Sequence, residues 1–244
     1  NENTLTYAKT LWDDHKFELL GGYTNQYFRQ ESTQVQADTY ADDRLPTIQG
    51  AINVNRGSTV SGVQEWSLTS YLARLNYNFK GKYLFNAAIR SDGSSRFGAN
   101  NRWGTFPSVG AGWVVSDEAF MSDLPAVTFL KLRGSWGIIG NNNLGNYTSY
   151  ALINNTVNGV FGNTVATGAA VSSLANPNLG WETTQQLDLG FDLNLFKDKI
   201  TTSLTYFSTT TDNQTVNTAI SNSTGFTGLR TNTGQTSSKG FELT

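Results

Sequence analysis

The stretch Ser70-Tyr71-Leu72-Ala73-Arg74-Leu75-Asn76-Tyr77-Asn78-Phe79-Lys80 sorts its residues by every second position. Tyr71, Ala73, Leu75, Tyr77 and Phe79 hold one parity, and Leu72, Arg74, Asn76, Asn78 and Lys80 hold the other. Side chains of an extended strand alternate between its two faces, so this segment predicts a strand with one oily and one wet face. After Gly81-Lys82 the pattern resumes, with Tyr83, Phe85, Ala87 and Ile89 against Leu84, Asn86, Ala88, Arg90 and Asp92. The pair reads as a hairpin with a tight turn at Gly81-Lys82.

The same plan recurs outward from this hairpin. Leu187, Leu189, Phe191, Leu193 and Leu195 alternate with Gln186, Asp188, Gly190, Asp192 and Asn194, and Lys197-Asp198-Lys199 turns the chain back into Ile200, Thr202, Leu204 and Tyr206. Weaker alternation runs through 4–11, 16–28, 105–116 and 129–139, giving about nine strands, the last ending at Thr244. Short connections at 12–14, 81–82, 117–127 and 197–199 alternate with long ones at 31–65, 93–104, 141–180 and 212–235. Long loops are uncommon inside compact domains and are usually functional. An antiparallel up-and-down sheet with its long loops gathered at one rim accounts for the order.

Oily and wet faces arise either in a soluble sandwich, where the oily face packs on a second sheet, or in a transmembrane barrel, where it meets lipid and the wet face lines a lumen. Tyr77, Phe79, Tyr83 and Phe85 crowd the oily face beside the short turn, with Trp113 near the next short connection, while Tyr71 and Trp136 are expected near the long loops. Aromatic bands at both ends of an aliphatic middle match a bilayer interface. A strand of about 10 residues tilted by about 45° also matches the ~25 Å apolar band of such barrels. The longest apolar run, Tyr150 to Ile153, is far too short for a membrane helix.

Composition narrows the function classes. Of 244 residues, 38% are apolar, 12% aromatic and 15% charged, with a net charge of −2. This charge balance carries no basic footprint for nucleic acid. There is no Cys and His15 is the only histidine, which closes thiolate metal sites and leaves His15, beside Asp13 and Asp14, as a poor general base. The acidic pairs Asp42-Asp43 and Asp117-Glu118 lack calcium-loop spacing and read as solvated turns. No phosphate-binding glycine motif leads into a helix pattern. Catalysis, metal and cofactor are therefore not expected. The N-terminus has no signal-peptide pattern and the C-terminus stops inside a strand pattern, so both ends are expected to be cut.

The segment Arg90-Ser91-Asp92-Gly93-Ser94-Ser95-Arg96-Phe97-Gly98, followed by Asn101-Arg102-Trp103-Gly104-Thr105-Phe106-Pro107-Ser108-Val109-Gly110-Ala111-Gly112-Trp113, resembles the barrel signature of SusC/RagA-type TonB-dependent outer-membrane transporters. Leu130 to Gly137 running into Gly140-Asn141-Asn142-Asn143, Asn176 to Thr184, and Lys239 to Leu243 resemble further blocks of that family, in its order. The resemblance covers most of the chain, from about Leu5 to Thr244, and is least distinctive in the long loops. It implies an all-β, transmembrane antiparallel up-and-down barrel, here a partial set of about nine strands of a 22-stranded barrel. Residues 1–244 would be part of one barrel domain, with the plug, the TonB-contacting segment and the closing strands elsewhere. It also implies active import of oligosaccharides or peptides, partnered by a SusD-like surface lipoprotein and the TonB complex, within outer-membrane lipid of a Gram-negative cell.

On that reading Arg74, Asn76, Asn78, Arg90, Arg133, Asp188, Asp192 and Asn194 line the lumen as a mixed-charge, amide-rich wall suited to hydrated cargo. Trp66, Trp103, Tyr147, Tyr150 and Phe161 in the long loops are candidates for cargo or lipoprotein contact, since ligand sites combine apolar platforms with a few polar groups. Arg90, Arg96 and Arg102 are expected to form a salt-bridged patch around Asp92. A passive outer-membrane channel or adhesin barrel, a soluble carbohydrate-binding sandwich and a barrel enzyme are the alternatives.

Overall fold

The computed structural model describes residues 1–42, 44 and 47–244. Eleven strands follow in order: β1 (Glu2–Leu11), β2 (His15–Tyr40), β3 (Ala51–Phe79), β4 (Tyr83–Ser94), β5 (Trp103–Val114), β6 (Val127–Asn141), β7 (Ile153–Phe161), β8 (Thr164–Val171), β9 (Glu182–Leu195), β10 (Ile200–Ala219) and β11 (Gly228–Leu243). Nine form one antiparallel sheet in the order β1-β2-β3-β4-β5-β6-β9-β10-β11, and β7 and β8 pair only with each other. The nine are the strands that alternation picks out; β7 and β8, with no charged side chain and no clear parity, are not.

The turns follow from local backbone chemistry. Phe79 pairs with Tyr83, and Lys80 and Gly81 both adopt positive φ, 56° and 73°, as a type I′ hairpin turn requires. Asn78 supports it by accepting from the Gly81 N–H through Oδ1 at 2.8 Å. The turn is thus centred one residue earlier than expected. Leu11 pairs with His15 across an equivalent turn, with Trp12 and Asp13 at positive φ.

The expected loop at 31–65 is mostly strand. β2 and β3 stay paired from His15↔Phe79 to Tyr40↔Ala51, with one register shift between Gln34 and Gln36. β2 has 26 residues, a path of roughly 85 Å, whereas crossing a ~25 Å band at about 45° needs roughly 35 Å. The outer half of this ribbon therefore projects well beyond the membrane. β10 and β11 likewise extend to Ala219↔Gly228, so the connection expected at 212–235 shrinks to 220–227. Alternation of lengths fails as strictly stated, because the β5–β6 connection at 115–126 is longer than three of the supposedly long ones. Alternation of ends holds, since every neighbouring pair is antiparallel.

Register assigns the faces. The rows Tyr7–Leu19–Leu75–Ala87–Val109–Trp136–Leu187 and Leu11–His15–Phe79–Tyr83–Trp113–Leu132–Phe191 run directly across the sheet on its oily side. Trp136 thus sits in an aliphatic row rather than near the long loops, where Tyr71 does stand, stacked with Tyr23 at 5.3 Å and Trp103 at 6.0 Å. The oily side carries no second sheet among the described residues: Tyr71 is 54% exposed, Ile89 49% and Leu189 50%. A contiguous apolar surface on this scale cannot face water in a soluble monomer, which removes the sandwich. The small dry core lies instead at the rim, where Phe97, Phe106 and Trp181 pack together beside Leu68, Ile138 and Leu144.

Candidate functional site: the polar wall and the long-loop rim

The strand ladders carry all eight expected lumen residues onto one face. Arg74, Asn76 and Asn78 share it with Arg90 through the Leu72↔Arg90 pair, and the β4, β5, β6 and β9 registers extend it to Arg133, Asp188, Asp192 and Asn194. This face is concave. It encloses a trough of about 740 Å³ whose lining includes Lys16, Glu18, Asn76, Lys131, Arg133 and Asp188.

The wall's side chains are held by one another. Arg133 donates through Nη2 to Thr205 Oγ1 at 2.6 Å and Ser203 Oγ at 3.2 Å, and through Nε to Asp192 at 3.3 Å. Ser203 in turn donates to Asp192 at 2.8 Å. Gly190 leaves room for the Arg133 guanidinium, which would meet a Cβ there at 3.1 Å. On the other side of the trough Glu18 accepts from Asn76 at 3.1 Å and Arg74 at 3.4 Å, while on the Arg133 side Gln186 donates to Asp188 at 2.9 Å. Half-exposed ion pairs of this kind contribute about 0–1 kcal/mol each, so their main effect is to fix a balanced array of donors and acceptors against water. Asn78 and Asn194 do different work: each caps the turn that follows it, Asn194 by donating to Asp198 at 2.9 Å. Glu18 and Lys131 complete the wall. Parity marks both as wet, but only register shows which partners they meet.

The rim is built where β5 and β6 part. Their ladder ends at Ser108↔Gly137, one residue short of Pro107, which has no N–H to extend it. Phe106 and Trp181 fill this region with ring centroids 5.2 Å apart, and Phe97 packs on Trp181 at 4.7 Å. Backbone and amide groups lace the loops around them. Gly98 N–H donates to Leu179 O at 2.8 Å, Asn100 N–H to Pro177 O at 3.1 Å, and Trp181 Nε1 to Arg102 O at 3.0 Å. Asn232 closes the other side, accepting from Gly180 N–H at 2.8 Å and donating to its carbonyl at 3.0 Å. Several of the residues that carry the family resemblance, among them Phe97, Gly98, Phe106, Pro177, Leu179 and Trp181, therefore frame the rim.

The expected arginine patch resolves into three separate arrangements. Only Arg90 pairs with Asp92, at 2.7 Å, while also donating to the fully buried Ser70 at 3.0 Å. Arg96 lies over the Trp66 ring at 4.8 Å and donates to Asn146 at 2.9 Å. Arg102 reaches the Tyr150 hydroxyl at 3.4 Å.

The five loop aromatics also separate. Trp66, Tyr147 and Tyr150 line one pocket of about 400 Å³ with Tyr27, Glu65 and Arg96. Trp66 is covered on its faces by Arg96 and by Phe28, stacked at 5.8 Å. Trp103 stands apart on the oily side against Tyr71, and Phe161 lies at the tip of the β7–β8 hairpin, 74% exposed.

At the opposite rim Glu118 is a residue that sequence reading passed over as a solvated turn. Its carboxylate accepts from Tyr83 Oη at 2.8 Å and Trp113 Nε1 at 3.2 Å, with Lys82 Nζ at 3.4 Å. Hydrogen bonds from Tyr83, then Trp113, and the nearby Lys82 hold it below the usual carboxylate range. His15 donates to or accepts from Tyr77 at 2.9 Å among Trp12 and Phe79, as part of the aromatic band. Asp42 pairs with Arg44 at 2.6 Å, while Asp43 lies outside the described residues.

A single antiparallel sheet curved around a polar trough, with an uncovered oily flank banded by aromatics, is the wall of a transmembrane β-barrel. The family model described as TonB dependent receptor-like, beta-barrel matches residues 1–244. The chain belongs to that family, and its place is the outer membrane of a Gram-negative bacterium. It is 39% identical over 243 residues to TonB-dependent receptor P39 of Formosa agariphila, covering 100% of this chain and 23% of that protein. It is 40% identical over 151 residues to TonB-dependent receptor SusC of Bacteroides thetaiotaomicron, covering 60% of this chain and 15% of that one. The RagAB peptide importer in its open-open state superposes with a TM-score of 0.84 at 26% identity, over 99% of this chain and 26% of that chain. This chain thus spans about a quarter of the length of the relatives that it matches throughout. The expected family and fold class both hold, and the nine-stranded sheet remains open in this structure.

Proposed function

We propose that this chain is the barrel segment of an energised importer that takes up polar oligomers, oligosaccharides or peptides, together with a SusD-like surface lipoprotein and the TonB complex. The observation that carries this reading is the polar wall. Arg74, Asn76, Arg133, Asp188 and Asp192 present both charges and amide groups to one concave face, each already braced by a neighbour. A braced wall of mixed sign meets a hydrated, uncharged or zwitterionic oligomer with little reorganisation and holds no single charged ligand strongly. Family membership supports the energised mechanism, and the likeness to the RagAB peptide importer supports the cargo class.

The test uses the full-length receptor in its native cell. Uptake of labelled oligosaccharides and peptides is expected to fall to background when the energy-transducing partner is deleted, with binding at the cell surface retained. Uptake that persists undiminished in that deletion would mean a passive channel.

A further inference from the structure

The β5–β6 connection is unlike the other links at the short-turn rim. β1–β2, β3–β4 and β9–β10 turn within three or four residues, whereas this link takes 115–126 and bends through two single-turn 3-10 helices, Val115–Asp117 and Ala119–Met121. The sheet steps at this point. The β5–β6 ladder ends at Val114↔Lys131, and β6 runs on to Val127 with no β5 partner. Val115 is buried where the first of these helices packs on β6.

The path of the connection then lies on the oily side. Glu118 accepts from Tyr83 and Trp113, which pair with each other in the oily row, and Phe120 meets the Trp113 ring edge-on at 6.5 Å. Phe120 thereby ends an unbroken run of rings: Trp12 to His15 at 5.6 Å, His15 to Phe79 at 4.5 Å, Phe79 to Tyr83 at 6.0 Å and Tyr83 to Trp113 at 6.3 Å. The β6 residue that pairs with Trp113 is Leu132. The next ring in the run is therefore supplied by the connection and not by the sheet.

Charge and exposure indicate what this ring meets. Phe120 is 61% exposed and Leu124 52%, an outward display of apolar groups that water disfavours. Short turns of outer-membrane barrels face the periplasm, and aromatic belts lie where acyl chains give way to headgroups. A ring that continues the belt reaches the same boundary. Asp117 and Asp123, exposed on either side of Phe120, keep the segment from sinking into the acyl region. Glu118, the acid turned toward the sheet, is matched by Lys82 at 3.4 Å. Apolar side chains bracketed by charged ones suit a segment that lies in the plane of a membrane surface.

We infer that the β5–β6 connection is an in-plane lipid anchor, with Phe120 and Leu124 seated in the periplasmic leaflet of the outer membrane and Glu118 as the residue that positions them. Phospholipid is its partner, through continuity with the oily flank. The inference rests on the outer-membrane location of the chain and on no reading of its cargo.

The full-length receptor, carrying one nitroxide-labelled cysteine at a time in a background without other cysteines, would be reconstituted into vesicles of phosphatidylethanolamine and phosphatidylglycerol. Collision with oxygen, which concentrates among acyl chains, is compared with collision with a water-soluble nickel chelate by electron paramagnetic resonance. Oxygen is expected to exceed nickel at Phe120→Cys and Leu124→Cys, and nickel to exceed oxygen at Asp117→Cys and Asp123→Cys. Leu75→Cys on the oily flank is the reference for a folded, inserted barrel. Nickel exceeding oxygen at Phe120→Cys would overturn the proposal, because the segment would then stand in periplasmic water. Low access of both reagents at that position would overturn it as well, because another part of the receptor would then cover the ring. Adding Glu118→Ala is expected to bring the oxygen-to-nickel ratio at Phe120→Cys down toward unity while the Leu75→Cys reference keeps its value. A ratio at Phe120→Cys that does not move would overturn the positioning role of Glu118.

Discussion

The two rims of the sheet are held by different forces. At the long-loop end Phe97, Phe106, Leu179 and Trp181 are buried, and the surrounding loops are joined by backbone and amide hydrogen bonds. At the short-turn end one carboxylate, Glu118, gathers Tyr83, Trp113 and Lys82 from neighbouring strands and turns. The first arrangement excludes water and contains no titrating group in its apolar centre; the second depends on a single charge. A third segment sharpens the contrast. The β7–β8 hairpin is part of the same long-loop rim, yet Val160, Phe161 and Val165 are 72%, 74% and 64% exposed. Length of connection does not decide burial: Phe97, Phe106 and Trp181 pack on one another, whereas Phe161 stays exposed on a regularly paired hairpin.

The largest expected effect tests the dry rim. Trp181→Ala removes the ring that touches both Phe97 and Phe106 and should cost about 3–5 kcal/mol, read as a lowered thermal midpoint of the detergent-solubilised full-length receptor. A shift of under about 1 kcal/mol would mean that the rim core is not what holds these loops. Gly98→Ala comes next. A Cβ at Gly98 would run into the carbonyl of Pro177, which is backbone and cannot swing aside. Overpacking of this kind should cost about 1–3 kcal/mol, and an unchanged midpoint would show that the two loops separate easily.

Glu118→Gln probes the charged rim. Because its carboxylate is held below the ordinary range, the stabilisation is complete above that range and is lost as pH falls through it toward the depressed folded-state value. The parental receptor should therefore lose thermal stability more steeply than the Gln variant does as the pH falls below about 5, and keep its advantage above that. Parallel pH curves for the two proteins would remove the charge from the account. The smallest effect is expected at Phe161→Ala, within about 0.5 kcal/mol, since the ring is exposed and buries little. A larger loss would mean that the hairpin packs on something in the native envelope.

Much of the fold was legible because strand side chains alternate with period two. Arg74, Asn76 and Asn78 against Leu75, Tyr77 and Phe79 declare their faces without any knowledge of neighbours, and so do Asp188 and Asp192 against Leu187, Leu189 and Phe191. The β2–β3 extension escaped notice because Glu31 to Glu65 mixes polar residues into both faces, and its scattered Val35, Val54, Val60 and Val63 keep no sustained alternation. Pattern reading has nothing to grip there. Trp103 and Trp66 both looked like loop platforms, yet Trp103 stacks on Tyr71 toward lipid and Trp66 lies beneath Arg96. Nothing local to either residue distinguishes these ends.

The sequence by itself determined that strands would alternate oily and wet, and where the sharpest turns would fall, since both depend on residues within a few positions of one another. Only the tertiary structure decided that Glu18 meets Asn76, that Arg133 meets Asp192, that Glu118 gathers one rim and that Trp181 fills the other. Those contacts join residues far apart along the chain, and register, which one residue of slippage would overturn, is fixed by the whole sheet at once.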